Sequence, residues 1–273
     1  MKPILRWLGG KQRQLKHIRP HIPKDFEWYH EPFFGGGAVF FDLMPKHATI
    51  NDQFRLLMAF YSQLPKHLCA VINLLDTLST QQAKEDYLRI RSEAIFPTDT
   101  WELSPALVAK FYYMNKLSYN SMMRFKLVES RSGAAYRYNV PYGKPLKNLY
   151  NKNHLMAAGS ILDNTEIWSC DYQEYFKKLI DIGDLTGHVI YVDPPYCDTH
   201  AEYSTEFDMD DAKMLQKWCN AMHAFGATVI VSLSAAMASS WDGWDKHDVG
   251  VKYTADRRRR PLSASQAILV KRG

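Results

Sequence analysis

The stretch His30-Glu31-Pro32-Phe33-Phe34-Gly35-Gly36-Gly37-Ala38-Val39-Phe40-Phe41-Asp42-Leu43-Met44, followed by Thr49-Ile50-Asn51-Asp52, sets the fold class. His30 to Phe34 is a short strand-like run, and Gly35 to Gly37 punctuate it. Ala38 to Met44 starts a helix, and Thr49 to Asp52 reads as a second strand ending in an acid. Strand, glycine turn, helix, strand and acid is the βαβ order of a nucleotide-type site in an α/β protein. The glycines let the backbone approach a ligand where side chains would clash; the plainer alternative is a flexible turn. Asp52 can accept two hydrogen bonds from a vicinal diol, or it can cap the segment starting at Gln53.

A second stretch carries chemistry. Val189-Ile190-Tyr191-Val192 is a buried-strand run that leads directly into Asp193-Pro194-Pro195-Tyr196. Open α/β sheets bind ligands at the carboxyl ends of their strands, so this tetrapeptide falls where catalysis is expected. Two consecutive prolines fix the backbone and remove two N–H donors, which leaves the Pro194 carbonyl as an acceptor beside the Asp193 carboxylate. Two neighbouring acceptors suit the two hydrogens of an –NH₂ group, and Tyr196 offers a face on which a base can stack. An ordinary Asp-Pro-Pro turn is the alternative.

Working outward, the pattern repeats on one side and changes on the other. Strands are expected at Glu166–Ser169, Ala227–Leu233 and Ala267–Val270, with a helix over Asp208–Phe225. Between the two quoted stretches, Leu56–Leu75, Gln81–Ile95 and Ala106–Met114 have apolar residues at helical spacing, whereas Lys116 to Lys152 is rich in Tyr, Asn, Ser and basic residues with little periodicity. The expected architecture is an α/β catalytic domain (residues 1–56 and 158–273) interrupted by a mostly helical insertion (57–157). The 273 residues carry a net charge of +5, a mild basic bias compatible with nucleic acid. Cys69, Cys170, Cys197 and Cys219 form no CxxC pair, so neither a disulfide framework nor a zinc knuckle is implied. The first residues lack the apolar core of a signal peptide, and the apolar stretch from Ala227 to Ala238 is too short to span a bilayer.

Taken together, these motifs resemble the Dam-type, D12-class DNA adenine-N6 methyltransferases over nearly the whole chain. Arg6-Trp7-Leu8-Gly9-Gly10-Lys11 resembles the family's first cofactor segment, Glu31 to Gly37 its glycine-rich loop and Asn51-Asp52 its ribose-binding acid. Cys170-Asp171-Tyr172 resembles the segment that cradles the cofactor adenine, and Asp193 to Tyr196 the catalytic motif. The resemblance implies a Rossmann-like fold that uses S-adenosylmethionine, yields S-adenosylhomocysteine and needs no metal. It implies cofactor contacts from Trp7, Lys11, Glu31, Pro32, Phe33, Gly35, Asp52, Asp171, Tyr172 and Asp193. Lys11 would pair with the cofactor's carboxylate. Catalysis would rest on Asp193, Pro194, Pro195 and Tyr196. Two hydrogen bonds from N6 of adenine to Asp193 and the Pro194 carbonyl would pull the nitrogen toward a pyramidal form and free its lone pair, and the carboxylate would steady the developing positive charge. The base must first be flipped out of the stack.

On the DNA side, Asn115 to Arg124 resembles the family's recognition hairpin and Tyr138 to Lys144 the segment that closes it. By resemblance Tyr119 is a wedge and Arg124 reads a guanine, as in GATC-methylating members. Asn120 and Asn139 would add polar contacts. Lys116, Lys126, Arg137, Lys144 and the block Arg257, Arg258, Arg259 and Arg260 would meet phosphates; a solvated loop is the alternative for the block. The segment Phe125 to Gly133 is longer than in GATC enzymes, Ser234 stands where the family usually has Asn, and Gln266 stands near a common acid. These departures bear on the target sequence and leave the catalytic motif intact. Two other readings remain: an N6-adenine RNA or N4-cytosine enzyme, and a catalytically silent DNA-binding regulator. The Asp that opens the motif and the Tyr119–Arg124 hairpin favour adenine in DNA, and the intact motif argues against silence. The expected setting is the bacterial or phage-infected cytoplasm, with the protein acting on nucleoid DNA as a monomer, two copies being able to share a palindromic site.

Overall fold

A computed structural model describes residues 1–78, 82–130, 133–195, 207–252 and 263–273; at 251–252 and 263–265 it describes the backbone alone. In chain order the strands are β1 (Trp28–Glu31), β2 (Ala48–Asn51), β3 (Ile95–Pro97), β4 (Phe125–Ser130), β5 (Gly133–Tyr138), β6 (Thr165–Trp168), β7 (His188–Val192), β8 (Thr228–Ser234), β9 (Asp245–Lys252) and β10 (Ser263–Lys271). The helices are α1 (Leu15–Ile18), α2 (Ala38–Leu43), α3 (Arg55–Lys66), α4 (Leu68–Asp76), α5 (Ala83–Glu93), α6 (Pro105–Leu117), α7 (Lys152–Asp163), α8 (Tyr172–Ile180), α9 (Met209–Ala224) and α10 (Ala235–Ser239).

The chain divides into two compact units, one of Met1–Gly10, Gly35–Lys46 and Asp52–Ser169, the other of Lys11–Phe34, His47–Asn51 and Cys170–Gly273. In the second unit six strands lie in the order β2-β1-β7-β8-β10-β9. β2, β1, β7 and β8 run parallel, while β10 is antiparallel to both β8 and β9. Every residue of β7 is buried, as are the first six of β8. Such unbroken apolar strands belong to a sheet covered on both faces. This is a mixed α/β, Rossmann-like fold. Because the four strands are parallel, Glu31, Asn51, Val192 and Ser234 all mark the same, carboxyl-terminal edge.

The first unit holds α2 to α7 and a small antiparallel sheet of order β3-β5-β4. The helix expected over Leu56–Leu75 is two helices that meet at His67, the C-cap of α3 and N-cap of α4. Pro65, in the last turn of α3, has no N–H to continue the ladder. The helix expected over Gln81–Ile95 stops at Glu93, because Ile95, Phe96 and Pro97 pair with β5. The aperiodic stretch after Lys116 forms the hairpin β4–β5, so the region expected to be mostly helical also carries a sheet. Among the described residues, no helix is long and apolar enough to cross a membrane.

Candidate functional site

In the second unit the carboxyl edge of the sheet gathers three loops. β7 delivers Asp193, half-buried, then Pro194, which is buried, and Pro195. The Lys11 ammonium lies 2.6 Å from Asp193 Oδ1, and its side chain is only 4% exposed. Two residues before Asp193, the Tyr191 hydroxyl meets Ser232 Oγ at 2.8 Å in the core. Burial, with the Asp193 charge second, pushes the Tyr191 phenol far above its ordinary value, so it stays neutral beneath the carboxylate.

At the end of β2, Asn51 is buried and uses its amide fully. Its nitrogen donates to the Pro32 and Cys170 carbonyls, both at 3.0 Å, and its oxygen accepts from the Cys170 N–H at 2.9 Å. One side chain thus fixes the loops after β1 and before α8. Beside it Glu31, also buried, accepts from the Tyr29 hydroxyl at 2.6 Å. Phe33 and Tyr172 face each other with ring centroids 5.3 Å apart. The Tyr172 hydroxyl is buried without a hydrogen-bond partner among the described residues. Burial, with the charges of Asp211 and Asp171 behind it, pushes that phenol up to about 12. Asp171 is the N-cap of α8 and accepts from the Gln173 N–H at 2.9 Å.

In the first unit Asp52 accepts from two backbone groups, the Gly35 N–H on Oδ2 and the Phe54 N–H on Oδ1, each at 2.9 Å. Burial raises its carboxyl above the ordinary value, and the two N–H donors oppose the rise. The Trp7 side chain lies over the glycine turn. A Cβ on Gly35 or on Gly36 would come within 2.8 Å of Trp7, and Gly35 holds φ at +49°. The close approach that requires glycine at these two positions is therefore that of Trp7.

In the same unit, the segment expected to recognise DNA is a clasped loop. α6 ends at Leu117, and the Gly143 N–H donates to the Leu117 carbonyl at 2.8 Å while the Tyr119 N–H donates to that of Pro141 at 2.9 Å. A Cβ on Gly143 would stand 2.8 Å from the Ser118 carbonyl oxygen. Asn120 and Ser121 both hold positive φ, +52° and +59°, a pairing that costs energy in non-glycine residues. The loop leaves Tyr119 52% exposed. β4 and β5 then rise from an aromatic cluster in which Phe125 lies 5.2 Å from Tyr138, 5.5 Å from Phe54 and 6.3 Å from Phe111.

A family model for D12 class N6 adenine-specific DNA methyltransferases matches residues 7–254 of the chain. The protein belongs to this family. The methyltransferase is 30% identical to the type II methyltransferase M1.LlaDCHI of Lactococcus lactis subsp. cremoris, over 86% of this chain and 82% of that one. It is 29% identical to the type II methyltransferase M.MjaIII of Methanocaldococcus jannaschii, over 86% and 84% of the two chains. It is also 25% identical to the DNA adenine methylase of Escherichia coli K12, over 71% and 65%. The chain is thus a site-specific, adenine-specific DNA methyltransferase.

Not every residue expected in the site of this methyltransferase occupies the same kind of place. Arg124, Asn120, Asn139 and Lys144 are exposed beside Tyr119's loop, as are Lys126 and Arg137, which stand directly opposite each other on β4 and β5. Lys116 differs from these. Its ammonium lies 5.0 Å from the centroid of the Tyr112 ring. Burial, with the Arg6 charge second, draws it down to about 8. Tyr196 and Arg257 to Arg260 lie outside the described residues. Asn51 and Gly143 carry geometry that residue type alone did not announce: a buried Asn at a strand end reads as a turn former, and a lone Gly after a Tyr reads as a loop. Ser234 and Gln266, distant in sequence, are directly opposed on β8 and β10.

Proposed function

We propose that this methyltransferase takes its methyl group from S-adenosylmethionine and places it on N6 of an adenine flipped out of duplex DNA, within GATC. The observation that carries the reading is Asp193-Pro194-Pro195 at the carboxyl end of the buried strand β7, with the carboxylate already fixed at 2.6 Å by Lys11. A carboxylate beside a carbonyl that has no neighbouring N–H is a double acceptor for an exocyclic amine.

Within each unit taken separately, the residues present fit part of the cofactor. Phe33 and Tyr172 offer aromatic faces for a flat heterocycle, and the buried Tyr172 hydroxyl lacks a protein partner among the described residues. Each oxygen of Asp52 keeps a further lone pair after its backbone bond, enough to accept from a vicinal diol. Lys11 supplies a cation for a carboxylate, and Glu31, Pro32, Asp171 and Trp7 complete the set by resemblance. The cofactor supplies an electrophilic methyl group when bound.

The chain's own part is then to hold the adenine. Asp193 and the Pro194 carbonyl accept the two N6 hydrogens and turn the nitrogen lone pair outward, and Asp193 steadies the positive charge that develops there. Pro195 keeps the carbonyl aimed, and Tyr196 stacks on the base. Tyr119 wedges into the duplex while Arg124 reads a guanine edge, with Asn120, Asn139, Lys126, Arg137 and Lys144 alongside. Target recognition is assigned to 57–157 and methyl transfer to 1–56 and 158–273. The enzyme works as a monomer on cytoplasmic DNA.

The deciding experiment is methylation-sensitive sequencing of unmethylated plasmid DNA after incubation with the protein and S-adenosylmethionine. N6-methyladenine confined to GATC is expected. Methylation confined to another short motif would overturn the GATC assignment alone. No methylated adenine, with cofactor binding intact, would overturn the whole reading.

A further inference from the structure

Asn115 is fully buried in the last turn of α6, three residues before the loop that presents Tyr119. Its side chain does not pair within its own helix. Its oxygen accepts from the Arg6 N–H at 2.9 Å, and its nitrogen donates to the Arg6 carbonyl at 2.8 Å. The amide thus pairs with both backbone groups of one residue 109 positions away in sequence, as a neighbouring strand would. Arg6 Nη1 adds a longer bond to the Lys116 carbonyl, 3.4 Å.

Each end of this link leads to a different task. Arg6 is joined directly to Trp7, whose side chain lies over the Gly35–Gly36 turn, and Gly35 donates to Asp52. Asn115 is joined through Lys116 and Leu117 to the Ser118–Met122 loop, which Gly143 and Pro141 clasp on its other side. The loop itself is held in the two strained conformations at Asn120 and Ser121, so it is a place where bound DNA can alter the backbone. Phe54 supports the same connection, with its ring 6.5 Å from Trp7 and 5.5 Å from Phe125 of β4.

We infer that Asn115 is a positioning residue that ties the Trp7 segment to the recognition loop, so that engagement of duplex DNA tightens binding of the cofactor. This rests on the assignment of S-adenosylmethionine and DNA to these two regions. A buried side-chain amide that merely needed partners would be satisfied by its own helix or a nearby turn. An amide that pairs both its nitrogen and its oxygen with the backbone of one remote, otherwise exposed residue fixes the place of that residue.

The test is the dissociation constant of S-adenosylhomocysteine, measured by calorimetry with and without a duplex carrying the motif found by sequencing. The ratio of the two values is expected to be about tenfold in the unmodified protein. In Asn115→Leu, close in size but unable to pair with Arg6, it should fall to about twofold or less, while Asn115→Gln should retain part of it. Because Asn115 is buried, a second pair guards against misfolding. Arg6→Pro and Arg6→Ala both lose the guanidinium, but only Arg6→Pro loses the N–H that donates to Asn115, so only Arg6→Pro should lose the ratio. An unchanged ratio in folded Asn115→Leu and Arg6→Pro, or a ratio near one in the unmodified protein, overturns the inference and leaves the methyltransferase assignment standing. Failure of S-adenosylhomocysteine to bind at all overturns the cofactor assignment beneath it.

Discussion

Two carboxylates stand at strand ends in this methyltransferase, and the protein treats them in opposite ways. Asp52, just past β2, is tied by the Gly35 and Phe54 N–H groups, both of which are backbone and cannot swing aside. Asp193, just past β7, meets the ammonium of Lys11 at the end of a four-carbon stem. A backbone clamp fixes where an acid is; a lysine partner holds it through a side chain. The contrast teaches that Asp52 combines holding the glycine turn with any ligand role, whereas Asp193 is held through a side chain alone. Removing one should unsettle structure, and removing the other should stop chemistry.

The sharpest way to break this contrast is Asp193→Ala. On the proposed mechanism it should lower turnover by about 10³-fold or more, by removing half of the grip on N6 and the charge that steadies the transition state. S-adenosylhomocysteine should still bind, and near-normal turnover would remove Asp193 from the mechanism. Asp52→Ala is the counterpart. It should cost about 1–3 kcal/mol of unfolding free energy by leaving two N–H groups without their acceptor, measured by urea denaturation. A loss of cofactor binding with stability unchanged would mean that the clamp is incidental.

The smallest expected effect concerns two neighbouring histidines of β1 and β7, where the contrast can be sharpened with pH. His30 Nε2 lies 2.9 Å from His188 Nδ1, and His30 Nδ1 lies 2.7 Å from Thr49 Oγ1. Burial, with His188 second, draws His30 down to about 3. Burial also lowers His188, against the pull of the Glu27 and Asp184 charges. A group whose folded value is depressed binds more protons when unfolded, so its stability contribution is complete above pH 6.5 and fades as the pH falls below it. Between pH 6.5 and 5, His30 alone should cost about 2 kcal/mol. Asp52, raised by burial, has the opposite sign, and its effect begins from its ordinary value of 3.8 upward. Denaturation curves at the two pH values should show the loss, and His30→Gln should flatten it.

Much of this arrangement was legible in the residues. The run from His188 to Val192 followed by Asp193 reads as a buried strand delivering an acid because five apolar or neutral positions in a row suit a parallel strand covered on both faces. Asp208 announces α9 by its own chemistry and forms a capping box with Asp211. The hairpin was not legible. In β4 the sequence Phe125-Lys126-Leu127-Val128-Glu129-Ser130 has one side apolar only where the aromatic cluster lies beneath it, and Leu127, on that side, is 67% exposed. A strand that leaves the body partway along its length loses its alternation there. β9 hid for a related reason: Asp245-Lys246-His247-Asp248 is polar on both faces, and only pairing along β10 reveals it. The partnership of Lys11 with Asp193 and that of Asn115 with Arg6 depend on folding distant segments together, which no local pattern encodes.

The hairpin has a consequence for how such an enzyme can vary. Phe125 and Tyr138 are opposed at its base within the aromatic cluster, whereas Ser130 and Gly133 form its last opposed pair. β4 pairs only with β5, and β3 meets β5 no further out than Ala135. Length can therefore be added or removed at the outer end in steps of one residue per strand, each worth about 3.4 Å of reach. An arm whose length is adjustable while its root stays fixed can vary among descendants of one ancestor without disturbing the aromatic cluster beneath it.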